Sequence, residues 1–337
     1  MSDFLSSISG GIARFALAWL LPTSIAVGLF WWFCLPTLAA KGLAPSLTGA
    51  VGGASTRSSV EALGIAAFIT FAISVVLAYS SQLVYRVLEG YHLPRGMAGR
   101  LTARQRLHRA RLTAIVSTLE DHPIGAKSSE YGLAAERLEL YPKDVERLMP
   151  TRLGNALRSL ESFGYRIYGL DSQQFWYELV GTADETVRRE QEEARAMVDL
   201  FVSGVAVFAA LALAATGMAV LDPTRPAPVV LALVSVALVH VSYRGALRNM
   251  KDWQNSVRAM VNLGRWKVAE GIGLKLPWML DDERLMWQTT SSVLHYDADS
   301  DSRVWLDVFR RGSPHTIVGG KDAKPTASTN EQPTGSR

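Results

Sequence analysis

The chain has a single cysteine, Cys34. One thiol closes no intramolecular disulfide and builds no cysteine-based metal site, and inside an apolar stretch it reads as a small packing residue. Histidine is scarce as well. His92, His108, His122, His240, His295 and His315 include no pair spaced three or four apart, and no HExxH occurs. No Gly-rich run ends in Lys-Ser or Lys-Thr, which excludes a phosphate loop. No nucleophile elbow, Ser/His/Asp arrangement or paired-carboxylate motif can be singled out. An enzyme is therefore the weakest function class, and no catalytic residue, metal or cofactor is expected.

Charge is nearly absent from four long apolar stretches, at about residues 15–40, 62–85, 198–221 and 228–243. A bilayer core roughly 30 Å thick is crossed by a helix of about 20 apolar residues, and in hydrocarbon the helix satisfies each backbone polar group within the segment. The pattern predicts an all-α protein with four transmembrane helices in two hairpins. Charged residues still make up 20% of the 337, and mean hydropathy is only +0.11, so sizeable aqueous parts are expected too. The lack of ionisable residues deep in the spans argues against an ion-coupled transporter. His240 lies in the fourth stretch but only one turn from Arg244, which places it near the headgroups. The first stretch follows Arg14 and ends at Leu38-Ala39-Ala40, loosely like a signal peptide. It is too long for one and carries the bulky run Trp31-Trp32-Phe33, so an uncleaved span is expected.

The basic residues are unevenly placed. The connection between the first two stretches holds only Lys41 and Arg57, and the connection between the last two is the short turn Asp222-Pro223-Thr224-Arg225-Pro226. By contrast Arg86, Arg95, Arg100, Arg104, Arg106, Arg109 and Arg111 follow the second stretch, and Arg244, Arg248, Lys251, Arg258, Arg265 and Lys267 follow the fourth. Lys and Arg near span ends stay on the cytoplasmic side. Both termini and the long middle segment are thus expected in the cytoplasm of a plasma membrane, with the two connections outside.

The expected organisation is a cytoplasmic start at 1–14, a first hairpin at 15–85, a cytoplasmic helical segment at 86–197, a second hairpin at 198–243, further cytoplasmic helices at 244–310 packing on the middle segment, and a disordered tail at 311–337 rich in Gly, Pro, Ser, Thr and Lys. Pro22 predicts a kink early in the first span. In the middle segment a helix is expected to end at Asp121-His122-Pro123, with a short helix or extended piece following at about 131–140. Thr151 reads as an N-cap, Asp171 as the cap of a helix through Leu179, and a last helix begins near Asp184 and runs into the third span. A helix from Arg244 leaves the fourth span, Pro277 interrupts it, and Asp281 reads as the cap of another. Trp176, Trp253 and Trp266 are the aromatic anchors expected to be buried where the two cytoplasmic segments pack.

At Pro150-Thr151-Arg152-Leu153-Gly154-Asn155-Ala156-Leu157-Arg158, then Tyr168-Gly169-Leu170-Asp171 and Trp176, the chain resembles a group of uncharacterised multi-spanning membrane proteins found mainly in actinobacteria. Those show a TRLGN-type helix start, an acidic residue near the position of Glu161, a YGLD-type turn and a Trp soon after. A second pattern recurs from Trp266 to Trp287, with Pro277 and Glu283 in comparable places. The resemblance covers about residues 149–294 and implies a bacterial plasma membrane protein, with no activity attached. The chain departs from the pattern at Phe175-Trp176-Tyr177, where similar proteins often have Trp-Pro.

The linked elements single out Arg152, Asn155, Arg158, Glu161 and Asp171. The mechanical account is that Gly154 permits close backbone approach, Asn155 bonds a neighbouring loop, and Arg152 or Arg158 clamps Glu161 or Asp171 to fix the angle between two helices. The functional alternative is an anion site at the helix N-terminus, using free N–H groups and Arg152. The arginine-rich helix from Arg100 to Arg111 is expected to contact anionic lipid, at about 1 kcal/mol per basic residue. It lacks interleaved aromatic residues, so nucleic acid is not an expected partner. Two function classes remain. One is a membrane-anchored interaction or sensory module that binds a cytoplasmic protein partner. The other is a homo-oligomeric channel or pore-forming effector gated by its helical module.

Overall fold

A computed structural model describes residues 11–41, 56–121, 128–295 and 306–310. Among these residues the protein is all helical, with one isolated backbone bridge between Leu274 and Arg310 in place of any strand. Three helices are long and apolar enough to cross a membrane: Gly11–Leu38, Glu185–Leu221 and Pro226–Gly271. The expected start at 1–10, the outer connection at 42–55 and the tail from 311 lie outside the described residues.

The first apolar stretch opens with a π-helical turn at Ala16–Leu20 and continues as α1, Leu21–Ala40. Where a kink is expected at Pro22, the departure from α-geometry is the π-turn just before it. Pro22 has no N–H to give the Ala18 carbonyl an α-helical bond, and just before it Leu21 N–H reaches back five residues to Ala16. The Ser203 hydroxyl, from a later helix, donates to the Ala18 carbonyl.

The second stretch departs from the expected single straight span. It forms α2, Thr56–Tyr79, and α3, Ser81–Glu89, bent by 60° at Ser80. The polar run Ser80-Ser81-Gln82 ends the apolar sequence there. The Ser80 hydroxyl turns back onto the Leu77 carbonyl at 3.4 Å, a local bond that favours bending. The pair counts as a fourth candidate span only if both arms are taken together.

The middle segment supplies α4, Arg95–Glu120, α5, Ser129–Glu139, α6, Arg152–Tyr168, and α7, Trp176–Thr182. Then come α8, Glu185–Leu221, with 37 residues, and α9, Pro226–Gly271, with 46. At about 1.5 Å per residue these extend over about 55 and 70 Å, roughly twice a hydrocarbon core. They pack side by side, and the other helices dress their two ends. At the apolar end Cys34 and Ala26 of α1 meet Phe208, Leu211 and Leu231. Midway, Leu153 and Leu157 of α6 meet Val198, Val202, Ala246 and Met250. At the far end Phe175, Leu179, Val257, Met260 and Val261 form the largest core, closed by α10, Leu280–His295. A side arm of α4 and α5 has its own small core around Leu112, Ala134, Tyr141 and Leu148.

Two expectations need correction. Asp281 does not cap α10 but stands inside its first turn beside Asp282 and Glu283, where acidic side chains suit the helix dipole. Among the aromatic anchors, Trp176 and Trp253 pack against the far core, but Trp266 is 56% exposed. The buried stripe of α9 runs through Val257, Met260, Val261, Gly264 and Val268, and Trp266 falls off that helical face. The anchor is Trp287, 0% exposed and edge-on to Phe175 with ring centres 5.4 Å apart. Trp287→Ala should therefore lose about 3–5 kcal/mol of stability in chemical unfolding of the detergent-solubilised protein. Trp266→Ala should stay within about 0.5 kcal/mol; equal losses from the two would contradict this packing.

Candidate functional site

The TRLGN helix start is a fully occupied junction. Thr151 caps α6 by accepting from Gly154 N–H at 2.9 Å and donates its own hydroxyl to the Leu88 carbonyl at 2.7 Å. Asn155 is 0% exposed. Its amide nitrogen donates to the carbonyls of Met149 (3.0 Å) and Thr151 (2.8 Å), while its oxygen accepts from Met149 N–H at 2.8 Å. A Cβ on Gly154 would sit 2.8 Å from the Glu89 carbonyl oxygen, so only glycine lets the end of α3 dock here. The Tyr243 hydroxyl of α9 faces the N–H groups of Arg152 and Leu153. The N–H groups that an anion would need at this helix end are thus already engaged.

The expected clamp takes a different form. Arg158 pairs with Glu161 at 3.2 Å, but both lie on α6, so the pair fixes no interhelical angle. Arg158 also donates to the Tyr91 hydroxyl, which ties α6 to the chain leaving α3. Asp171 uses one oxygen as a cap, accepting from Gln173 N–H at 2.9 Å and Gln174 N–H at 3.4 Å. Arg152 joins neither group. It is exposed and turned away, into a separate cleft.

The side chain that does clamp helices is Arg265 of α9. Its Nε donates to Glu283 of α10 at 3.0 Å, and its guanidinium stacks 4.2 Å from the Tyr168 ring centre at the end of α6. Glu283 is 5% exposed and also accepts from Trp287 Nε1 at 3.3 Å. The YGLD turn makes this closure possible. Gly169 ends α6 at φ +78°, and a Cβ there would lie 2.6 Å from the Arg284 carbonyl oxygen. Spacing along the chain gives no hint that Arg265 and Glu283 meet, because the irregular residues around Pro277 separate them.

The cleft that receives Arg152 has a volume of about 470 Å³ and lies between the side arm and the middle of α9. Six basic or titratable nitrogen groups border it: His108 from α4, Arg137 from α5, Arg152 from α6, and Arg244, Arg248 and Lys251 from α9. Its one carboxylate, Glu136, lies 3.2 Å from Lys251. The His108 imidazole holds a proton less readily than usual, first because of burial and then because of Arg152, Arg137, Arg111 and Arg104. Only Arg152 of these cleft residues belongs to the set expected from the sequence. Arg244 and Arg248 were visible as span-end charges, and nothing in their spacing signals that the side arm folds over them. Among the described residues no group of three His, Cys, Asp or Glu is placed to hold a metal ion.

Glu283 and Glu161 yield a pH prediction. Burial raises the carboxyl pKa of each above the ordinary glutamate value, against opposing help from Arg265 and Trp287 at Glu283 and from Arg158 and Gln173 at Glu161. A raised folded-state pKa means the folded protein binds the proton more tightly than the unfolded chain. The destabilisation is present in full above the folded pKa and is relieved as pH falls from it towards the ordinary value of about 4.3. The thermal midpoint of the wild type minus that of Glu283→Gln, measured across this window, should shift in favour of the wild type as pH falls. A shift the other way would contradict the assignment.

No protein-family model matches the chain, and neither a curated protein nor a solved structure matches it, so what the site does has to follow from its own geometry.

Proposed function

We propose that this chain is a multi-pass protein of a bacterial plasma membrane, serving as a membrane-anchored interaction or sensory module. The observation that carries the reading is the continuity of α8 and α9. Each passes without a break from an apolar half into a charged half that bears the packed cytoplasmic helices. A tilt or shift in the helical module is therefore delivered to the membrane core through two rigid rods. In this reading α1 and the bent α2–α3 pair form one hairpin, α8 and α9 the other, and both termini lie in the cytoplasm. The middle segment and the helices after Tyr243 act as one unit, since α6 and α7 are cemented to α9 and α10 by shared cores.

The module offers two kinds of contact. Arg100, Arg104, Arg106 and Arg111 stand exposed on α4 and suit anionic lipid. Trp278 is 94% exposed and Tyr177 87%, which suits a cytoplasmic protein partner.

Reporter insertions test the arrangement. A reporter after Arg337 or near Ser128 should read cytoplasm, and one near Gly52 should read outside. One inverted signal would sink the topology. Size in nanodiscs tests the role: a monomer or dimer agrees with an anchored module, whereas a ring of subunits would replace it with a pore-forming effector.

A further inference from the structure

Three helices from distant parts of the sequence, α5, α6 and α9, bring positive charges to one cleft, beside His108 of α4. Arg137, Arg152, Arg244 and Arg248 are exposed at its walls and make no ion pair among the described residues, while Lys251 has already taken Glu136. Gathering like charges is unfavourable. Like charges repel, and the repulsions of several gathered together add up. The same arginines spread over the outside of the module would avoid that cost. The proton affinity of His108 is lowered first by burial and then by these charges, Arg152 and Arg137 among them.

The shape of the cleft narrows the ligand. Leu133, Leu140 and Leu247 line it together with Tyr141, so an apolar wall stands beside the charges. Arg244 is the first charged residue after the apolar stretch of α9, and Arg248 lies one turn further on. In the membrane-anchored reading, on which this step rests, the cleft opens where hydrocarbon gives way to water. Guanidinium groups bind the oxygens of phosphate through paired N–H donors, a geometry lysine cannot reproduce. The nearby helix N-terminus contributes nothing, since Thr151 and Tyr243 already face its N–H groups.

We propose that this cleft binds a phosphate-bearing anion through Arg152, Arg244 and Arg248. A phospholipid headgroup is the source its position and apolar wall suit best, and dissolved phosphate carries the same chemistry. Occupied by a headgroup, the cleft would draw the α4–α5 arm against α9 and make the posture of the module depend on the lipid beneath it.

The test uses the full chain in nanodiscs of phosphatidylcholine, with and without phosphatidylglycerol, and reads the thermal unfolding midpoint. Inorganic phosphate titrated into phosphatidylcholine discs at constant ionic strength forms the second arm. A ligand that binds only the folded state raises the midpoint. Wild type should respond to phosphatidylglycerol, and Arg152→Gln with Arg248→Gln should weaken the apparent affinity about tenfold or more. Arg152→Lys with Arg248→Lys should fall between, and Arg189→Gln, remote on α8, should match wild type. If the first pair fails to accumulate, Arg137→Gln with Arg244→Gln removes the other wall and must show the same loss. A response to inorganic phosphate alone, lost in the same variants, supports the cleft and assigns it a soluble ligand. Identical responses of wild type and both variant pairs in both arms overturn the proposal. Failure of the anchored reading would show separately, as an inverted topology reporter with the variant-dependent phosphate response intact.

Discussion

Close packing of α8 against α9 along their length is the constraint from which the other placements follow. Val198, Val202, Ala246 and Met250 fill the seam midway, and Phe208, Leu211 and Leu231 fill it at the apolar end. Because neither helix breaks, the seam fixes the distance and rotation between the two regions it joins. Other helices then find a groove on this pair, α1 at one end, α6 in the middle and α7 at the other, while α2 rests on the first helix and α10 on α6. The side arm of α4 and α5 has its own core and joins the rest through Leu140, which packs on the midway core, the Ser159 hydroxyl on the Glu139 carbonyl, and the ion pairs of Lys251 with Glu136 and Arg258 with Glu139. Exposed pairs of that kind contribute about 1 kcal/mol or less, so Leu140 matters more to this attachment than the charges do.

Polar groups set the geometry where apolar packing alone would leave it loose. Arg265 and Glu283 are an example in which electrostatic gain does not decide stability. The carboxyl remains harder to ionise than usual despite its partner, so desolvation outweighs the pairing. What the pair secures is direction: Arg265 must sit over Tyr168 and reach Glu283 at once, and only one arrangement of α6, α9 and α10 allows it. Asn155 works in the same way on a smaller scale, holding both sides of the turn before α6.

Local features are legible in the sequence. Thr151 caps a helix, and the charged helix from near Asp184 runs into an apolar one, because each depends on neighbours in the chain. Asp171, expected to cap a helix through Leu179, instead caps the turn before α7, whose N-cap position is Phe175. The i,i+3 spacing of Arg158 and Glu161 likewise announces their pair. The misplacements all concern facing and partnership. Trp266 looks like an anchor by size, yet counting along Val257, Val261, Gly264 and Val268 puts it on the opposite side. Arg152 looks like a clamp by proximity to acidic residues, yet the helix turn aims it towards α9. The basic cleft is illegible because four separate helices make it, whereas the bend at Ser80 is marked by the polar run Ser80-Ser81-Gln82, which the expected single span passes over.

The Ala18 carbonyl carries a consequence for how the chain is made. Pro22 cannot supply the α-helical donor for that carbonyl, and the hydroxyl of Ser203, 185 residues later, donates to it. An unbonded carbonyl in hydrocarbon costs several kcal/mol. In the membrane-anchored reading the first apolar helix would be an incomplete product of translation, because a chain truncated before α8 lacks the Ser203 hydroxyl that serves its Ala18 carbonyl.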